Sequence, residues 1–279
     1  MDFSAVDRII EDLELRLTEA REVSAEEELL VGVDLGTAYI VLVVMNRGGE
    51  PVACAMEFAQ VVKDGLVVDY MGAMEVVRRL KEQLEARIGR ELSEAAIAVP
   101  PGTGKAECKT HGYVVEGAGM EVTNILDEPT AANAVLGVEN GVIVDIGGGT
   151  TGLSILEGGE VTYVADEATG GTHLSLVLSG AYRVSFEEAE EIKRDYARHR
   201  EIFPAVRPVI QKMASIVKRH IEGRDISAVY LVGGTCCLTD METVFEKELG
   251  IPVYKPANPF LVTPMGIALS SLPKADRRP

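Results

Sequence analysis

The chain has 279 residues, 47% hydrophobic and 25% charged, and carries 27 Lys plus Arg against 44 Asp plus Glu, a formal charge of −17. This composition excludes wholesale disorder and leaves room for one large domain, or two of about 140 residues that each hold a core. The acidic balance argues against a sequence-independent nucleic-acid binder and against docking on anionic membranes through a basic face.

Residues 1–28 stand apart. Positions 2–28 hold ten acidic and three basic side chains, a net −7. Phe3, Val6, Ile10, Leu13, Leu17 and Ala20 recur at steps of three and four. That spacing predicts an amphipathic helix of roughly five turns, with Ser4 and Asp7 at its start. Its apolar stripe favours packing on the following domain over service as a free docking tail. The start, Met1-Asp2-Phe3-Ser4, lacks the basic and apolar character of a signal peptide. No apolar run approaches the ~20 residues that span a bilayer. The expected location is cytoplasmic. Cys54, Cys108, Cys236 and Cys237 lack C-x-x-C spacing and read as reduced structural thiols, and the four histidines show no metal-ligand spacing.

From residue 29 the chain repeats itself. Leu29 to Thr37 is an apolar strand ending Asp34-Leu35-Gly36-Thr37, followed by the run Tyr39 to Met45. Gly141 to Thr151 is an apolar strand ending Asp145-Ile146-Gly147-Gly148-Gly149-Thr150-Thr151, followed by a second strand to Leu156. Turns at Gly48-Gly49 and Gly158-Gly159 open a third strand in each half. Ala95 to Val99 matches Ala228 to Val232, and Val122 to Leu126 matches Pro252 to Tyr254. Pro129 to Ala134 and Pro264 to Ala268 read as small-residue helices. Helical pattern covers roughly residues 72–90 in the first half, and 186–199 and 205–221 in the second. The reading is an α/β chain of two βββαβαβα units, 29–137 and 138–272, with a short tail at 273–279 and a cleft between the units.

An Asp at the end of a buried strand, followed by a Gly and Thr turn, presents backbone N–H groups to an anion. Two such turns in equivalent places would clamp a polyphosphate. Asp34 and Asp145 are then placed for Mg²⁺, directly or through water. Gly102-Thr103-Gly104-Lys105 is a decoy. A P-loop needs Gly at position 99 and Ser or Thr at 106, which hold Val99 and Ala106.

Five motifs, in order, resemble the actin, DnaK-chaperone and hexokinase ATPase superfamily, whose duplicated fold is ribonuclease H-like. Asp34 to Thr37 resembles the first phosphate loop and Asp145 to Thr150 the second. Asp127-Glu128-Pro129-Thr130-Ala131-Ala132 is similar to the first connecting helix of DnaK-type chaperones. Leu231-Val232-Gly233-Gly234-Thr235 resembles the adenosine loop, and Pro264 to Ala268 the second connecting helix. Lys63 to Asp69 resembles a segment of the actin-like proteins MreB and FtsA. The chain as a whole looks like the EutJ family of ethanolamine-utilisation proteins, chaperone-like ATPase homologues encoded with bacterial microcompartment enzymes.

The resemblance implies ATP or ADP with Mg²⁺. Asp34 and Asp145 would organise the metal and its waters, and Glu128 the attacking water. Gly36, Thr37, Ala38, Gly147, Gly148, Gly149, Thr150 and Thr151 would line the phosphates, and Gly233, Gly234 and Thr235 would approach the adenosine. It further implies clients among microcompartment or ethanolamine-pathway enzymes, and leaves microcompartment association and a homo-oligomer open; the acidic balance gives the expectation of no nucleic acid and no membrane partner.

Three departures matter. The chaperones carry a second catalytic Asp where this chain has Gly152, a loss worth ~10²–10⁴ in rate where such a group orders water or takes a proton. Their phosphate-contacting lysine has no clear equivalent in the shortened segment 59–94. Their peptide-binding sandwich and lid have no counterpart within residues 1–279. The expected function is therefore an ATP-binding, chaperone-like accessory protein with slow or no hydrolysis. The alternatives are a catalytically idle adaptor, a small-molecule kinase with Asp69 as its base, or a filament-forming protein.

Overall fold

A computed structural model describes residues 3–272. The expected tail at 273–279, and Met1 and Asp2, lie outside the described residues.

A helix α1 (Ser4–Leu15) precedes three antiparallel strands, β1 (Leu29–Leu35), β2 (Tyr39–Asn46) and β3 (Pro51–Phe58). A small hairpin, β4 (Val62–Lys63) and β5 (Leu66–Val67), turns at Asp64 and Gly65, both at positive φ. Then come α2 (Tyr70–Ile88), β6 (Glu94–Val99), α3 (Lys105–Gly117), β7 (Glu121–Asp127) and α4 (Glu128–Leu136). The second half runs β8 (Gly141–Ile146), β9 (Thr151–Glu157), β10 (Glu160–Glu167), α5 (Gly171–Tyr182), α6 (Phe186–Arg194), α7 (His199–Ile221), β11 (Val229–Val232), α8 (Met241–Leu249), β12 (Val253–Tyr254) and α9 (Val262–Leu269).

The two five-stranded sheets share one topology, β3-β2-β1-β6-β7 and β10-β9-β8-β11-β12. In each, a hairpin pair is antiparallel and the later strands are parallel. Both faces of β1 and β8 are covered, so these strands are apolar runs without polar alternation. Val31, Val33 and Leu35 face a core shared with α2, whereas Leu30 joins a second core between the halves. That central core holds Val41 and Val43 of the first sheet, Ile143 and Tyr230 of the second, and Ala132 and Met265 from α4 and α9. Gly266 brings α9 against the Ala131 carbonyl of α4, and Gly32 brings β1 against the backbone of α9.

The N-terminal helix is shorter than its stripe predicts. It ends at Leu15 after 12 residues, and Phe3, not Ser4, occupies its N-cap without a side-chain bond. Beyond it the backbone turns to the edge of the first sheet. The Arg16 carbonyl accepts from Cys54 N at 3.1 Å and Arg21 N donates to the Val52 carbonyl at 2.8 Å. Covering an open edge outweighs continuing the helix. Val6, Ile10 and Leu13 are buried in the central core, so the segment packs as expected. It touches both halves. The Phe3 ring stands edge-on to Tyr230 and Tyr254, and Asp7 accepts from Ala257 N at 2.8 Å.

The second half departs from the pattern in two places. Helix α5 has no sequence forewarning, and α7 begins at His199, so that Pro204 and Pro208 lie inside it. Asp69 caps α2 by accepting from Gly72 N at 2.9 Å, a structural role. Among the described residues no helix is long and apolar enough to cross a membrane, and all four cysteines are free.

Candidate functional site

The two glycine turns face each other across a cleft of about 320 Å³. A Cβ placed on Gly148 would lie 3.2 Å from Thr37 Cβ, and one on Gly149 would lie 3.0 Å from Thr37 Oγ1. Side chains there would close the gap between the turns. The second turn is braced from below by α5. Gly171 N donates to the Gly147 carbonyl at 2.9 Å, and Thr172 N to the Gly148 carbonyl at 2.8 Å. Peptides are planar and trans here, so the N–H groups of Gly148 and Gly149 point the other way, away from α5. This is an anion-accepting arrangement.

Asp34, Glu128 and Asp145 all line the cleft. Burial, with the nearby Asp145 charge, pushes Asp34 up to about 7. Burial also pushes Asp145 up to about 6, against a bond from Thr263 Oγ1, and Asp166 adds to the rise. Glu128 is held well above its ordinary value by burial and then by Asp145, Asp34 and Asp166. It opens α4, whose Asp127 cap accepts from Thr130 N at 2.9 Å. Each of the three carboxylates lies where burial and its acidic neighbours disfavour the charged form, an environment that a cation would relieve. No group of three or more His, Cys, Asp or Glu among the described residues is arranged to hold a metal unaided. The donor set fits Mg²⁺, which keeps several waters and takes phosphate oxygens beside one or two carboxylates.

Gly233, at φ 90°, allows β11 to leave its strand beside Asp145. A Cβ there would sit 2.3 Å from Asp145 Oδ1. Thr235 Oγ1 donates to the Gly147 carbonyl at 2.7 Å, tying this loop to the second turn. Gly36, Ala38, Thr150 and Gly234 also line the cleft. Thr151 does not join them. It begins β9, is fully buried, and its hydroxyl donates to the Thr169 carbonyl. The assignment of Thr151 to phosphate lining is therefore corrected. Lys105 of the decoy loop starts α3 and is not among the cleft residues, nor is Asp69.

Several cleft groups carried no sequence signal. On α6, Lys193 Nζ donates to Glu190 Oε1 at 2.7 Å and to the Gly171 carbonyl at 3.2 Å, and Ser175 donates to the same Glu190 oxygen. The capping box at Ser185 and Glu188 marks the helix start, and spacings of three and four then put Glu190, Lys193 and Arg194 on one face. Nothing in the pattern says that this face meets the cleft. Arg194 donates to the Tyr39 hydroxyl of the other half, and its guanidinium lies 5.6 Å from the Tyr39 ring and 5.5 Å from that of Phe58. It closes a clasp over the cleft mouth. His111 is buried beside the cleft with Nδ1 2.9 Å from the Glu107 carbonyl, and burial lowers its pKa, favouring the neutral ring.

Against known proteins, a family model described as type IV pilus assembly protein PilM matches residues 111–270. The ethanolamine utilization protein EutJ of Escherichia coli K12 is 47% identical over 254 residues, 91% of this chain and 90% of that one. The crystal structure of EutJ from Carboxydothermus hydrogenoformans superposes with a TM-score of 0.90 at 51% identity, covering 95% of this chain and 98% of the other. A PilM-PilN type IV pilus biogenesis complex matches at TM-score 0.71 and 16% identity over 88% of this chain and 98% of that one, a likeness of fold alone.

Proposed function

The chain belongs to the EutJ family of ethanolamine utilization proteins, with the actin-like ATPase fold, and we propose that it binds Mg²⁺-ATP between its two halves and works as a chaperone-like, nucleotide-switched accessory protein of that pathway. The observation that carries this reading is the pair of glycine turns facing each other, Thr37 against Gly148 and Gly149, beside the cleft carboxylates Asp34, Glu128 and Asp145. The turn amides would take phosphate oxygens. Mg²⁺, held by Asp34 and Asp145 partly through water, would neutralise the phosphate chain and lower the charge the carboxylates face. Glu128 would orient the attacking water, and positioning of this kind supplies most of the catalysis in phosphoryl transfer. The Glu190 and Lys193 pair and the Gly233-Gly234 loop would meet the nucleoside end.

A triphosphate touching both turns favours a closed cleft more than a diphosphate does, so turnover shifts the population of closed chains. The DnaK-like wording of residues 127–132 supports the chaperone-like reading, and the family's name supports partners among ethanolamine-pathway or microcompartment enzymes, in the cytoplasm. Calorimetry with Mg²⁺-ATP tests the core of it. Micromolar or tighter binding is expected in the wild type and a loss of at least about tenfold in Asp145→Ala. No heat of binding in the wild type refutes the reading.

Gly152 favours a second reading, an adaptor that binds nucleotide without turning it over. A single-turnover assay of wild type against Glu128→Ala separates them. Equal rates support the adaptor.

A further inference from the structure

Position 152 has no side chain because there is no room for one. A Cβ on Gly152 would lie 2.9 Å from Pro101 Cδ and 3.2 Å from Pro101 Cγ, atoms of the loop that follows β6 in the other half. Strand β9 and this loop of the other half approach closely at this point. A carboxylate attached to residue 152 would push them apart.

A carboxylate is nonetheless present there. Asp166 of the edge strand β10 pairs directly with Gly152 of β9. Directly paired residues of antiparallel strands project to the same face, so the Asp166 side chain lies over the vacant position. Its Oδ1 is 3.7 Å from the point a Gly152 Cβ would occupy. Burial pushes this carboxylate up to about 6, and the Thr150 side chain, on the second glycine turn, opposes that rise. Its charge acts on Glu128 and on Asp145, and Asp64 from the first half acts on it in turn. One strand over from its expected origin, an anionic side chain therefore reaches the turn that flanks the phosphate site.

We propose that Asp166 is a positioning residue for ATP hydrolysis, supplying from β10 the carboxylate that Gly152 cannot carry and acting through the Thr150 hydroxyl and the water beside it. This role rests on the nucleotide reading given above. It turns Gly152 from a sign of a dead site into a relocation: the close packing on Pro101 is kept, and the water-ordering group moves to the neighbouring strand. Hydrolysis is then retained.

The test uses the full chain in three forms: wild type, Asp166→Asn, and Asp166→Asn combined with Gly152→Asp and Pro101→Ala, which returns the carboxylate to β9 and clears space for it. Calorimetry reads Mg²⁺-ATP affinity, single-turnover assays read hydrolysis, and thermal melts confirm folding. Asp166→Asn is expected to slow hydrolysis about 10²-fold while affinity stays within about threefold. The relocated carboxylate is expected to recover at least about tenfold of the lost rate, which a merely structural role for Asp166 would not allow. If the wild type does not bind Mg²⁺-ATP, the nucleotide reading falls and this role with it. If it binds, the role alone is overturned by absent hydrolysis, by a rate unmoved in Asp166→Asn, or by a folded triple variant that recovers nothing.

Discussion

Gly266→Ala tests how closely the two connecting helices are joined. A Cβ at residue 266 would lie 1.8 Å from the Ala131 carbonyl oxygen and 2.4 Å from its carbon, and ordinary contact begins near 3.4 Å. Helices α4 and α9 must therefore separate by about 1.6 Å, more than an overpacked core usually absorbs. Retreat of α9 is blocked on another side. Gly32 of β1 already brings its backbone so close that a Cβ there would sit 2.5 Å from Ala268 N. The cost lies at the upper end of the overpacking range, about 3 kcal/mol. At about 2.1 cal/mol/K of unfolding entropy per residue, a chain of this size loses about 5 °C of melting temperature. A second effect follows from what the helices carry. Glu128 opens α4, and Thr263, in the first turn of α9, donates to Asp145, so separating them is expected to misalign two cleft carboxylates and weaken the proposed Mg²⁺-ATP binding. Thermal melts and calorimetry read both. Gly180→Ala is the control. It lies within α5 with nothing near an added Cβ, and is expected to stabilise by about 0.5–1 kcal/mol. A Gly266→Ala protein that melts within about 1 °C of wild type would refute the close-packed hinge.

Folded Asp34 keeps its proton up to about 7, against 3.8 in the free side chain. The folded state therefore binds more protons than the unfolded one between those values, and nucleotide-free stability falls as pH rises from about 4 to 7. Asp34→Asn is expected to flatten that slope, raise the melting temperature at pH 8, and abolish Mg²⁺-dependent nucleotide binding; an unchanged pH profile sinks the claim. Arg194→Ala opens the clasp on Tyr39 and Phe58. It should speed release of a fluorescent nucleotide several-fold in stopped flow and shift stability by only about 1 kcal/mol, since Arg194 is exposed. An unaltered release rate removes the clasp from consideration. Leu13→Ala empties a fully buried site of α1 in the central core and is expected to cost about 2–5 kcal/mol by denaturant titration, whereas a detachable tail would lose nothing.

Duplication is what made the cleft readable. One Asp-x-Gly-Thr turn is an ordinary hairpin, but Asp34 and Asp145 end equivalent strands, and equivalent strands of a repeated unit face a common interface. The helices were less readable for local reasons. The stripe of α1 runs on to Ala20, yet the backbone leaves the helix after Leu15 because the β3 edge offers it hydrogen bonds. Residues 171–182 are small or apolar with no charged face, so α5 has no period to detect. Pro204 suggests a helix start, but Ile202 is fully buried and His199 is bonded to Thr239 and to the Lys193 carbonyl, so tertiary contacts extend α7 back past the proline.

Asp166 was hidden by something finer than an element boundary. The Gly158-Gly159 turn pairs Glu160 with Glu157 and Val161 with Leu156. Continued without interruption, that register sets Ala165 opposite Gly152. A bulge between Val161 and Tyr163 inserts one residue, and from there Tyr163 pairs with Ile155 and Asp166 with Gly152. A one-residue slip in a strand exchanges the side chains offered to each face. The identity of the group over the second glycine turn, methyl or carboxylate, therefore depends on a single irregular residue in an edge strand. Shifting the strand beyond it is a direct probe: one alanine inserted between Tyr163 and Val164 keeps Tyr163 on Ile155 and should place Ala165 over Gly152. Hydrolysis should then fall as far as in Asp166→Asn, about 10²-fold, while Mg²⁺-ATP still binds. A folded insertion variant that hydrolyses ATP at the wild-type rate would show that register does not deliver the carboxylate.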